Sequence, residues 1–132
     1  MAHTVIGHIE RTVYHRSILR EIAERGCYIT WDLIGTEISY YGAYNVKSMP
    51  NDAVKMDQIA WLVSEGYGDR ILIGHDLANK SRRMRYGGHG LCYIPSHIVS
   101  RMKSRGFSEE DIRRMLVDNP AAAVTFSEPR SV

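Results

Sequence analysis

Hydrophobic and polar positions along this chain alternate between two periods. Residues 4–7 (Thr-Val-Ile-Gly), 27–32 (Cys-Tyr-Ile-Thr-Trp-Asp) and 70–74 (Arg-Ile-Leu-Ile-Gly) are short runs rich in branched and aromatic side chains, and they read as strands. The segments between and after them carry helical spacing. Over 14–25, Ile18, Leu19, Ile22 and Ala23 form one stripe, charged residues surround it, and Gly26 is placed to end the helix. Asn51 or Asp52 caps a second helix to about residue 65, with Val54, Met56, Ile59, Ala60 and Val63 as its stripe. A third helix over 94–105 turns Ile94, Ile98, Val99 and Met102 inward. Ser108 and the acidic run Glu109-Glu110-Asp111 start a fourth, favoured by the helix dipole. Asn119-Pro120 is expected to break it and begin a final turn through 125. Alternating β and α units predict an α/β fold with a parallel sheet and right-handed crossovers.

Two segments lack periodicity. Residues 33–50 form a long loop with Tyr40, Tyr41 and Tyr44, which suits a lid or binding loop as well as a surface excursion. Residues 127–132 read as a tail after a domain spanning 1–126. Composition narrows the class of protein. The net charge of +2 over 132 residues is too small for a nucleic-acid footprint, so a basic binding module built on residues 82–85 is disfavoured. No apolar run reaches the ~18 residues of a membrane span, and the first residues lack a secretion signal. Cys27 and Cys92 are isolated, as expected of reduced thiols in a cytoplasmic protein.

The polar ends of the strands hold the candidate chemistry. His8, Asp32 and Asp76 each follow an apolar strand run, and ligands in α/β folds bind outside the carboxyl ends of parallel strands. Side chains alternate across a strand, so His75 is expected to face away from Asp76 and pack under a helix. Tyr28, Thr30 and Asp32 share a polar face that suits a pocket lining. Asp32 can relay a proton or hydrogen-bond substrate, or else cap the following loop. Lys80, Arg82, Arg83 and Arg85 place four cations in six residues. A solvated role suits Arg82 and Arg83, whereas Arg85 or His89 can hold an anionic group of a substrate. Gly87, Gly88 and Gly90 suit a loop that approaches a site closely, but no GKS or GKT follows, which excludes a nucleotide P-loop.

The run Ile71-Leu72-Ile73-Gly74-His75-Asp76, the loop Arg85-Tyr86-Gly87-Gly88-His89-Gly90 and the triplet Asp118-Asn119-Pro120 together resemble the phosphotriesterase family of the amidohydrolase superfamily, in particular its phosphotriesterase-related branch. Trp31-Asp32-Leu33-Ile34-Gly35-Thr36-Glu37 adds to the likeness, which runs from about residue 5 to 126. The resemblance implies the C-terminal part of a (β/α)₈ TIM barrel, about three β/α units holding strands 6–8. A complete barrel takes about 250 residues.

The resemblance also implies an activity. Members are metal-dependent hydrolases that cleave an ester or amide bond (phosphoester, lactone or amide) of a small-molecule substrate through a metal-bound hydroxide. Their cofactor is a divalent metal, zinc in the first instance, two per complete site. His8 matches the ligand at the end of the sixth strand. Asp76 matches the ligand at the end of the eighth, which also orients the hydroxide and takes its proton. Asp32, Arg85 and His89 are the substrate-binding candidates. Leu33 stands where phosphotriesterases proper carry a relay histidine, which favours an ester or amide other than a phosphotriester. The remaining ligands, an H-x-H pair, a carboxylated lysine and a further histidine, have no counterpart in this sequence.

Two readings follow from that resemblance. In one, the chain is a truncated metal hydrolase, inactive alone. In the other, it is a non-catalytic half-barrel that works only with the missing N-terminal half or as a homo-oligomer. Both leave two open sheet edges, so an isolated chain is expected to self-associate.

Overall fold

The computed structural model describes residues 4–37 and 49–126. The expected tail and most of the tyrosine-bearing loop, Tyr40, Tyr41 and Tyr44 included, lie outside these residues.

Three strands form one parallel sheet in the order β1 (Val5–Ile6), β2 (Tyr28–Trp31), β3 (Ile71–Ile73). Val5 pairs with Tyr28 in register, and Trp31 pairs with Ile73. The crossovers are α1 (Arg16–Glu24) and α2 (Asp52–Ser64). After β3 and its exit loop, a π-helical turn (Ile94–Ile98) leads into α3 (Val99–Ser104). Then α4 (Glu109–Arg113), a second π turn (Arg114–Asp118) and α5 (Asn119–Val124) follow.

The core lies between the sheet and the helices. Ile29, Trp31 and Ile71 from the strands meet Leu19, Met56, Ile59, Leu62, Ile98 and Met102 from the helices, all fully buried. Burial of this much apolar area is the main driving force for the fold. On the other side of β2, Tyr28 is buried and Thr30 partly buried, its Oγ1 without a hydrogen-bond partner.

Caps and stops sit where the pattern placed them. The Asn51 side chain accepts from the Val54 amide at 3.0 Å and starts α2. Ser108 and Asp111 form a reciprocal capping box at α4.

Three helix details differ from the pattern. Ile18 is 43% exposed, because α1 turns only Leu19 and Ala23 fully inward. Val54 is 44% exposed, whereas Asp52 and Lys55 of α2 are fully buried. Asn119-Pro120 does not break the chain's helical path. The π turn before it widens the backbone ahead of the proline, whose ring sits in the first turn of α5, where its missing N–H costs little. Asn119 is buried instead, and its amide donates to the Gly68 and Ile71 carbonyls, each at 2.8 Å. The triplet thereby ties the last helix to the entry of β3.

Candidate active site

The site is assembled at the carboxyl ends of the strands. The chain leaves β1 through His8, which adopts a left-handed backbone with φ 54°. Asp32, just beyond β2, explains how that conformation is held. Its Oδ2 accepts the His8 amide at 3.1 Å, and its Oδ1 lies 2.5 Å from His8 Nδ1. The two side chains are about one-third and one-fifth exposed, so they meet at a partly open surface. Glycines make room here: a Cβ on Gly7 would come 3.1 Å from Asp32 Oδ2. With Nδ1 engaged by a carboxylate, Nε2 is the ring nitrogen left to His8.

Asp76 also has a left-handed backbone, φ 44°. The strand alternation expected through His75 and Asp76 therefore ends at Gly74. Arg82 holds Asp76 in place. Its guanidinium donates to the Asp76 carbonyl and lies 3.6 Å from Oδ2. The Asp76 carbonyl also accepts the Ala78 amide at 2.7 Å.

His75 does not pack under a helix as the alternation predicted. Its Nε2 donates to the Leu91 carbonyl at 3.0 Å, and its ring lines a cavity of about 430 Å³. The backbone turn at Asp76 lets the exit loop fold back over His75, which is why the expected packing fails. Thr36, Glu37, Asn79, Ser81, Arg82 and His89 complete the polar lining. His89 stacks on Tyr93 with ring centroids 4.0 Å apart. Arg85 lies outside this lining, its guanidinium 6.0 Å from the centre of the Tyr86 ring.

Beneath the loops lies a buried charged network that pattern reading missed. Lys55 Nζ donates to the Leu33 carbonyl at 2.6 Å, the Thr36 carbonyl at 3.0 Å and Asp52 Oδ1 at 3.0 Å. Asp52 in turn accepts the Gly35 amide and the Tyr93 hydroxyl, the latter at 3.2 Å. Burial, and next the Asp52 charge, push the Tyr93 hydroxyl up from its ordinary pKa, so it stays a donor. Glu10 is buried too. Its Oε1 accepts the Leu33 amide at 2.7 Å, while Oε2 has no hydrogen-bond partner. Burial pushes the Glu10 carboxyl above the usual range, Asp32 adds to that, and its amide contacts and Lys55 partly oppose it. The available signal was the Asp52/Lys55 i,i+3 spacing on a helix, which places opposite charges on one face.

As for a metal, the described residues hold no cluster of three or more His, Cys, Asp or Glu side chains that could bind an ion alone. The donors present do have ligand chemistry. An imidazole held at one nitrogen by a carboxylate presents the other as a ligand, the arrangement common around protein-bound zinc. The imidazole of His8 and the carboxylate of Asp76 are both groups that can ligate a divalent ion.

The model of the phosphotriesterase family matches residues 1–124. The chain belongs to the phosphotriesterase family. It is 40% identical over 126 residues to a phosphotriesterase-related protein of Nematostella vectensis, covering 96% of this chain and 36% of that one. It is 42% identical over 123 residues to the N-acetyltaurine hydrolase of Mus musculus, covering 93% and 35%. This phosphotriesterase-family chain thus spans about a third of the length of the curated relatives it matches. Among solved structures, it superimposes on a resiniferatoxin-binding protein from Rhodobacter sphaeroides with TM-score 0.86 at 29% identity, covering 92% of this chain and 34% of that one. A lactonase from Listeria monocytogenes gives TM-score 0.75 at 32% identity, covering 94% and 36%. The fold is that of strands 6–8, with their helices, of the family's (β/α)₈ barrel. No helix among the described residues is long and apolar enough to cross a membrane.

Proposed function

We propose that residues 1–126 contribute one side of the active site of a metal-dependent hydrolase acting on an ester or amide bond of a small molecule. The observation that carries this reading is the Asp32–His8 contact, which engages Nδ1 and leaves Nε2 as the ring nitrogen free to ligate, at the strand ends where Asp76 also emerges. His8 and Asp76 would hold a divalent metal together with ligands from outside these residues. Such an ion, zinc or a similar one, supplies Lewis acidity toward the scissile oxygen and toward water. Asp76 accepts the proton of the attacking water. Asp32 fixes the ring of His8, and Arg82 fixes the carboxylate of Asp76. An amide substrate is favoured by the N-acetyltaurine hydrolases among the relatives, and a lactone by the Listeria structure. Leu33 in place of a relay histidine disfavours phosphotriesters.

The test is zinc binding by equilibrium dialysis, with hydrolysis of an N-acyl amide, a lactone and a phosphotriester measured in parallel. His8→Ala and Asp76→Ala should each lower zinc uptake, and hydrolysis should appear only when the other β/α units of a relative are supplied. Zinc uptake that ignores both substitutions would sink the reading.

A second reading, association with a partner or a second copy, is favoured by the sheet itself. Among the described residues β1 and β3 each pair on one side only. Unpaired strand edges recruit further strands. Sedimentation of the isolated chain distinguishes a monomer from an assembly.

A further inference from the structure

The cavity of about 430 Å³ between the exit loops of β2 and β3 has a composition that the metal ligands do not explain. Neither His8 nor Asp76 lines it. Its walls are fixed. His75 is held by the Leu91 carbonyl, and His89 is stacked on Tyr93. Arg82 is the one arginine in its lining among the described residues, and only about one-fifth of its side chain is exposed. Arg82 Nη1 is committed to Asp76, while Nη2 and Nε make no hydrogen bond among the described residues. Planar donors left over on a largely buried guanidinium match an oxyanion with two oxygens. Asn79 and Ser81 add neutral polar groups, and the volume suits a small ligand. Among the described residues Glu37 is the one carboxylate in the lining, and its Oε1 is occupied by the Asp52 amide.

We propose that this cavity binds the carboxylate or sulfonate end of a small substrate through Arg82. Because the same guanidinium grips Asp76, the bound anion sits one side chain away from the proton acceptor. That arrangement places the scissile bond by its charged end. The inference rests on the hydrolase reading only in calling the occupant a substrate. The binding itself needs neither metal nor turnover.

The experiment titrates the chain with acetate, methanesulfonate and, as a cationic control, ethylammonium. Binding is followed by NMR at the amides of Gly87, Gly88 and Gly90. One or both anions should shift these signals saturably, and ethylammonium should not. Arg82→Gln should weaken anion binding about tenfold or more, in line with loss of a charge-assisted contact. Arg85→Gln should leave it unchanged. Glu37→Gln keeps an acceptor for the Asp52 amide and removes the opposing charge, so it should tighten binding. Should Arg82→Gln fail to fold, that tightening decides the matter. Absence of saturable anion binding, preference for ethylammonium, or an affinity indifferent to Arg82 and Glu37 would overturn the proposal. Anion binding that depends on Arg82, in a chain whose zinc uptake ignores His8 and Asp76, would keep the pocket and remove the hydrolase reading.

Discussion

Asp32 grips His8 twice, at the ring through Oδ1 at 2.5 Å and at the backbone amide through Oδ2 at 3.1 Å. One carboxylate thus fixes both the left-handed turn and the tautomer of the histidine. Asp32→Ala removes both contacts, and the expected loss of stability is about 1–3 kcal/mol. Denaturant unfolding measures it. The sharper readout is the imidazole itself. Nitrogen NMR of His8 should report a proton on Nδ1 in the parent chain and a mixture of tautomers in Asp32→Ala. An unchanged tautomer would show that Asp32 does not orient the ring.

Glu10 predicts a pH dependence whose sign runs against ordinary carboxylate behaviour. Its folded pKa is raised above the ordinary carboxylate value, chiefly by burial. The native state therefore binds a proton that the unfolded chain has already released. Stability falls as pH rises from about 4.5 through the raised folded value. Below that window the group contributes no penalty. Glu10→Gln should flatten the dependence and leave the mutant relatively more stable at neutral pH. Melting curves of both chains between pH 4 and 8 test this, and parallel profiles would refute it.

The sequence points to His8, Asp32 and Asp76 as candidates because an apolar run ends at each of them and strand ends of parallel sheets converge. The left-handed turns at His8 and Asp76 were not visible, since they depend on partners 24 residues away and on the later loop through Arg82. Helix existence followed from spacing, but the inward face of α2 did not. An apolar stripe assigned Val54 to the core, whereas Lys55 lies there because three oxygens await its ammonium. Periodicity counts apolar side chains, and it has no entry for a charge that is buried with its partners.

That buried pair yields the third prediction. Lys55→Met leaves Asp52 in the interior without its closest cation, and leaves the Leu33 and Thr36 carbonyls without their donor. Breaking one side of such a pair typically costs about 3–5 kcal/mol. Replacing both residues, Asp52→Asn with Lys55→Met, should recover part of that loss, because no isolated charge then remains buried. A denaturation cycle over the two single variants and the double variant measures the coupling. Strict additivity would mean that the pair does not act as a unit.

Gly88 gives the last prediction, and it links the glycine loop to Asp76. A Cβ at Gly88 would come 2.2 Å from the Arg82 carbonyl carbon and 2.4 Å from its Cα, inside any tolerable contact. Backbone rather than a flexible side-chain end is struck, so the Arg82 segment must move. Its guanidinium would then leave the Asp76 carbonyl, and the Arg82 wall of the cavity would shift with it. Gly87 is a fair comparison from the same loop. It has φ 87° and nothing within 4 Å of a Cβ, so Gly87→Ala pays for backbone conformation alone, about 1–2 kcal/mol. Gly88→Ala should lose more stability than Gly87→Ala and should also lose acetate or methanesulfonate binding. Gly87→Ala should retain that binding at temperatures where it is folded. Equal effects on stability and on anion affinity would mean that the close approach of Gly88 to Arg82 has no part in holding the site.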